Sequence, residues 1–113
     1  MSADNDARAP QPPDIDRLIH EPSRYSIMAL LYVVERAEFL FVQNQIHLTP
    51  GNLSAHVSKL EAAQYLSVEK QFVGKKPRTF LRLTGLGRDA FENYRDKMKQ
   101  LFSVPLSKKS SLE

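Results

Sequence analysis

A mainly helical α+β fold is what this sequence predicts: a three-helix core, one small β-hairpin and a C-terminal helix. Three observations carry that expectation. Apolar residues recur at helical spacing in several segments between 22 and 102. Two short runs of strand character, 66–72 and 79–83, are separated by the turn-forming sequence Gly74-Lys75-Lys76-Pro77-Arg78. Thr49-Pro50 and Thr84 stand where helices start, each threonine a side-chain cap and the proline suited to the first helical position.

Taken in order, residues 1–13 carry three prolines and no apolar cluster, the composition of a disordered tail. Residues 14–102 form the folded unit, and the polar stretch 103–113 reads as a flexible tail. Ile15, Leu18 and Ile19 stand at helical spacing, which predicts a short helix over 14–20 docked on the body or on a second subunit. Pro22-Ser23 opens the next helix, to about residue 35. Its stripe of Ile27, Leu30, Leu31 and Val34 faces a core, widened by Tyr25, Met28 and Tyr32. Such width fits contacts on more than one side, or a central place in a small domain.

Residues 37–39 make a short connection with the character of a strand. The helix over 39–47 offers Phe39, Leu40, Val42 and Ile46 to the core, with Asn44 and Gln45 outward. His47-Leu48 is a turn, and 49–63 is the third helix. There Leu53, Val57 and Leu60 form one narrow buried stripe at i, i+4 and i+7. The opposite face carries Asn52, Ala55, His56 and Lys59, with Ser54 and Ser58 at its edges. Gly74 supplies the freedom the hairpin turn needs, and Pro77 stiffens it. Phe72 and Phe80 flank the tip and are expected to pack inward. The last helix, 85–102, presents Leu86, Ala90, Phe91, Tyr94, Met98, Leu101 and Phe102. That stripe is longer than a domain of this size easily covers, so part of it is expected in a subunit interface.

A chain of 113 residues is one domain with a modest core. Its net charge of +3 is unevenly placed. Residues 1–21 hold five acids against two bases, whereas 65–83 hold five bases against Glu69 alone. A local cationic excess is either a solvated hairpin or the footprint of a polyanion partner, and the adjacent helix favours the polyanion. The absence of cysteine excludes disulfides, thiolate chemistry and cysteine metal sites. No apolar run is long enough to span a bilayer, and the acidic, proline-rich start does not fit a secretory signal, so a cytoplasmic protein with no membrane role is expected. His20, His47 and His56 lack metal-ligand spacing. No nucleophile–base pair or paired carboxylates are visible, and Thr84-Gly85-Leu86-Gly87 lacks the Lys-Ser/Thr of a phosphate loop. Neither an enzyme nor a cofactor is expected.

A short helix beside a cationic hairpin is the layout of a winged helix-turn-helix. The order helix, helix, helix, hairpin, helix over 22–102 resembles the winged-helix transcriptional regulators of the MarR/ArsR type, above all the small stand-alone ones. The resemblance rests on LTPGNLSAHVSKLEAAQYL (48–66) and FVGKKPRTFLRLTGLG (72–87). It implies a dimeric regulator bound to double-stranded DNA, with the third helix in the major groove and the hairpin, as a wing, on a phosphate backbone or minor groove. Carried over by position, Thr49, Asn52, Ser54, Ala55, His56 and Lys59 fall on the recognition helix, and Lys75, Lys76 and Arg78 on the wing. Two positions depart from the pattern. Ala55 stands where a polar contact is common, and Gln64 where a helix-ending glycine is usual. A Gln is strained in the left-handed conformation, so a different helix end is expected here.

The residues themselves leave some roles open. Wing cations would neutralise phosphates, each adding about 0.9 to the log–log salt slope. Asn52 suits an adenine edge, and Lys59 a guanine or a phosphate. Thr49 is a helix cap or a contact; Ser54 and Ser58 are contacts or small residues that permit close packing; His56 is a donor or an inert surface residue. Met28, Tyr32, Tyr94, Met98 and Phe102 are candidates for homodimer contacts or complete the monomer core. An effector, small molecule or protein, would have to bind at the dimer interface or between helices. The rival reading is a winged helix used for protein–protein contact without DNA, against which the basic tip argues. RNA is less favoured, because the tip lacks stacking aromatics.

Overall fold

Among the described residues, side-chain caps set the start of three of four helices. In the computed structural model, which describes residues 14–103 and Pro105, the Glu21 carboxylate accepts from the Arg24 amide at 2.8 Å and Pro22 occupies the first turn of α1 (Pro22–Val34). Helix α2 (Phe39–Ile46) follows the short strand β1 (Arg36–Glu38) with no such cap. Thr49 caps α3 (Pro50–Ala62) by accepting from the Asn52 amide at 3.1 Å. Strands β2 (Leu66–Val73) and β3 (Lys76–Leu83) form the hairpin, and Thr84 caps α4 (Gly85–Phe102) through the Gly87 amide at 2.9 Å. The tail expected over 1–13 lies outside the described residues, as does most of the one expected over 103–113.

Three helices end on non-glycine residues with positive φ: Glu35 (69°), His47 (62°) and Gln64 (67°). The end of α3 corrects the expectation of an unusual terminus. The Tyr65 amide donates to the Leu60 carbonyl at 2.9 Å and the Gln64 amide to the Glu61 carbonyl at 2.8 Å. Those two bonds are the Schellman arrangement that glycine ordinarily allows. Gln64 takes the left-handed position and carries its strain, because the bonds to Leu60 and Glu61 hold it there.

The three strands form one antiparallel sheet in the order β1-β3-β2. Alternation gives the sheet an inner and an outer face. The inner rungs Leu66–Leu83 and Val68–Leu81, with Ala37 beside Leu81, meet the helices. Around them Ile19, Ile27, Met28, Leu31, Val42, Leu53, Leu60 and Phe91 are fully buried or nearly so. Gly87 fits this packing for a specific reason: a Cβ there would stand 2.1 Å from the Tyr65 carbonyl oxygen, so the strand-to-helix corner closes only around a glycine.

Three sequence expectations are corrected. Residues 14–20 form a turn, not a helix. The Asp16 carboxylate accepts from the amides of Leu18 (2.9 Å) and Ile19 (3.3 Å), a local alternative to helix bonding, and Glu21 before Pro22 is extended (φ −117°, ψ 131°). The turn still plugs Ile19 into the core. Leu40, expected inside, is 59 % exposed. Phe72, expected to pack inward, is 76 % exposed, because the hairpin extends three pairs beyond Lys70–Thr79, where it last faces α3.

Candidate nucleic-acid interface

Helix α3 is held by one face and free on the other. Leu53, Val57 and Leu60 are buried, whereas Asn52, Ser54, Ala55, Ser58 and Lys59 are exposed. No acid stands in its first turn, and Glu61 lies at its far end. Thr49 is engaged as the cap, and its side chain is occupied by the Asn52 amide, while the side chain of Asn52 is left exposed.

His56 is placed differently from the rest. Its side chain is 21 % exposed and turns toward the start of α1. Arg24 donates through Nε to the Leu18 carbonyl at 2.6 Å and through a terminal guanidinium nitrogen to His56 Nδ1 at 3.2 Å. The Glu21 carboxylate lies 3.8 Å from the same ring nitrogen, so His56 stands between an arginine and an acid of the α1 start. His56 thus ties the exposed helix to α1, a role between the two the sequence left open. Arg24 was not singled out in the sequence; only the fold brings it beside His56, 32 residues away.

The wing turns at Gly74-Lys75 between the paired residues Val73 and Lys76. Gly74 has φ 66° and Lys75 has no positive φ, the sign pattern of a type II′ turn, for which glycine is preferred at the first central position. Lys75 and Lys76 are exposed at this tip. Arg78 is not equivalent to them. It lies on the outer face and reaches the Glu38 carboxylate at 3.0 and 3.2 Å. Beside it Arg36 bonds Glu69 at 3.2 Å and lies over the Phe80 ring at 3.9 Å. These pairs neutralise part of the outer face, where Arg82 stays exposed, while Lys75 and Lys76 stand at the tip and Lys70 on the inner side.

On that inner side, Lys70 and Thr79 line a groove of about 630 Å³ between α3 and the wing, whose other wall includes Ser54, Ser58 and Glu61. The sequence counted Lys70 among the basic residues without assigning it a site; only the strand register aims it at α3.

The dimer candidates separate. Met28 is fully buried in the monomer and is corrected to a core residue. Tyr94, 6 % exposed, also belongs to the monomer interior, where its hydroxyl meets His20 Nδ1 at 2.8 Å and its ring packs near Tyr25. Tyr32 is half-buried; it donates to Glu92 at 2.6 Å and Arg88 lies over its ring. Met98 is half-buried and Phe102 is 77 % exposed. Together with Pro22, Tyr25 and Tyr94, these two line an open cleft of about 530 Å³, with Arg95 and Lys99 also in its wall.

Comparison with known proteins agrees with this layout. A family model described as a winged helix DNA-binding domain matches residues 23–102. An uncharacterised protein of Methanocaldococcus jannaschii is 34% identical over 85 residues, covering 75% of this chain and 92% of its own. Among solved structures, a transcriptional regulator homologue from Pyrococcus horikoshii OT3 superposes with a TM-score of 0.73 at 28% identity, over 77% of this chain and 86% of that one. Reduced AbfR bound to DNA has the same fold, with a TM-score of 0.67 at 15% identity over 85% of this chain and 70% of that one.

Proposed function

The chain belongs to the winged helix DNA-binding domain family, and from that premise we propose that it is a homodimeric transcriptional regulator that recognises a specific double-stranded DNA sequence. The observation that carries this reading is the α3–wing pair. An exposed helix face with no acid until Glu61 stands across a groove from a hairpin whose free cations, Lys70, Lys75 and Lys76, face the groove or the tip. Phosphate contacts position a protein on the duplex, and base-edge contacts specify the sequence. The wing supplies the first and α3 the second: Asn52 for an adenine edge, Lys59 for a guanine or a phosphate, Ser54 and Ala55 as close-approach positions. Thr49 acts through its cap, which fixes where Asn52 stands.

The dimer would place two copies of α3 in successive major grooves of a pseudo-palindromic site. Phe102 and Met98, at the open end of α4, are the contacts we assign to it. The cleft beside them is the place to look for an effector. No helix among the described residues is long and apolar enough to cross a membrane. From the family we infer a cytoplasmic, non-catalytic role.

Fluorescence anisotropy of labelled duplex DNA across salt concentrations tests the reading. Wild type should bind with a steep salt dependence, and Lys75→Ala with Lys76→Ala should lower the log–log slope by about 1.8, at 0.9 per phosphate contact. A folded sample that binds no duplex at low salt would sink the DNA reading and leave the protein-contact one. Sedimentation of Phe102→Asp beside wild type tests the dimer; an unchanged mass would remove Phe102 from the interface.

A further inference from the structure

Phe72 is 76 % exposed near the tip of the hairpin, and neither the core nor the phosphate contacts assigned above use it. Its place in the ladder gives it a direction. Phe72 pairs with Pro77, four pairs along the ladder from Val68–Leu81 and therefore on the same face of the sheet. That face is the one turned toward α3, since Val68, Lys70, Thr79 and Leu81 line the groove opposite Ser54 and Ser58. The aromatic ring therefore stands on the DNA-facing side of the wing. Lys70 precedes it on the same face, and Lys75 and Lys76 follow it around the turn, all three exposed.

We propose that Phe72, backed by Pro77, is a minor-groove contact whose ring seats against the sugar edges of the groove while the flanking lysines take phosphates. The proposal rests on the DNA-binding reading. An apolar group on a basic hairpin tip, with Lys70 on its own face and Lys75 and Lys76 around the turn, needs a partner with an apolar centre and anionic rims. The minor groove has that character: deoxyribose walls, phosphates along both edges, and a width of about 6 Å that a single ring matches. A·T-rich tracts have a narrower minor groove, whose sugar walls close more tightly on a flat ring. A second copy of the same basic tip would meet Lys70, Lys75 and Lys76 with like charge. Phe72 thus adds shape-dependent selection to a wing otherwise limited to phosphate contacts.

The test is anisotropy with two labelled duplexes, one A·T-rich and one G·C-rich, for wild type, Phe72→Ala, Phe72→Leu and the wing-lysine double variant. Phe72→Ala should weaken binding to the A·T-rich duplex by about fivefold or more, and much less to the other, with the salt slope unchanged because no charge is lost. Phe72→Leu should keep most of the affinity. Netropsin, which fills the A·T minor groove, should weaken wild type and leave Phe72→Ala little changed. Equal binding by wild type and Phe72→Ala, while the lysine variant is weakened, would overturn this proposal and leave DNA binding standing. Failure of wild type to bind either duplex would overturn both. A lowered melting temperature or a smaller sedimenting mass for Phe72→Ala would reassign the ring to folding or self-association and overturn it as well.

Discussion

Helix α3 and the outer half of the wing are both offered to solvent, yet they are held in different ways. Leu53, Val57 and Leu60 pin α3 to the core, Thr49 caps its start, a Schellman pair closes its end, and His56 ties it to Arg24. Beyond Lys70 and Thr79, the hairpin has its own ladder, a glycine turn and one ion pair to Glu38. The difference teaches a division of labour. In the proposed reading, base recognition needs side chains fixed relative to one another, and α3 would carry them rigidly. Phosphate contact tolerates variation in position, and a strand pair standing clear of the core suffices.

The comparison breaks most visibly at the anchor. Leu60 is fully buried and also forms the carbonyl end of the Schellman motif, so Leu60→Ala should cost about 2–5 kcal/mol of stability by chemical denaturation. Lys75→Ala with Lys76→Ala, on the free tip, should leave the melting temperature unchanged. A destabilised wing variant would mean that the hairpin tip is part of the cooperative unit.

A smaller effect sharpens the split between reading and gripping. Asn52→Ala removes no cap, since Thr49 bonds the backbone of residue 52 and not its side chain. It should lose about 1–3 kcal/mol of discrimination between the selected site and a single-base variant, measured by competition binding. The wing variant should weaken both DNAs to the same degree. If Asn52→Ala weakens all sequences equally, α3 is gripping phosphates and the assigned roles are reversed.

Helix end chemistry gives an effect of opposite sign. Gln64 has φ 67°, and Gln64→Gly relieves left-handed strain while adding freedom to the unfolded chain. A net gain of about 0.5–1 kcal/mol in unfolding free energy, read as a raised denaturant midpoint, is expected, with DNA binding unaltered. A loss of stability would show that the Gln64 side chain has contacts that matter more than its backbone.

The sequence made much of this legible because local signals agreed with one another. Thr-Pro at 49–50, the i, i+4, i+7 stripe of α3 and the glycine turn each have a local physical cause, and the fold obeys all three. The misses share a different origin. Phe72 looked like a core residue because strand alternation reports a face, not how far along the strand the helices reach. Arg78 looked like Lys75 and Lys76 until its pairing with Glu38, 40 residues away, was in view. Arg24 and His56, Lys70 and α3, and the burial of Met28 are likewise relations across the chain. In residues 14–20, helical spacing was present, but one carboxylate, Asp16, turned the backbone another way.

That same carboxylate supports one more modest effect, on the side of the comparison where α3 is anchored. The Tyr65 hydroxyl, just past the end of α3, donates to Asp16 at 2.5 Å. Burial first, and then this bond to Asp16 and its charge, push the Tyr65 phenol from 10.0 up to about 12. The fold therefore favours the neutral phenol. Its contribution is complete below pH 10 and is lost as pH rises through about 12. Tyr65→Phe should cost about 1 kcal/mol at neutral pH, the net worth of one hydrogen bond. It should also flatten the alkaline fall in stability between pH 10 and about 12. Tyr32 and Tyr94 are raised as well, by the Glu92 hydrogen bond in the first case and by burial in the second, so some slope persists in the variant. Denaturant melts across this pH range decide the point. Identical slopes for wild type and Tyr65→Phe would mean that Asp16 holds the turn over 14–20 through its backbone bonds alone, and that α3 ends without help from it.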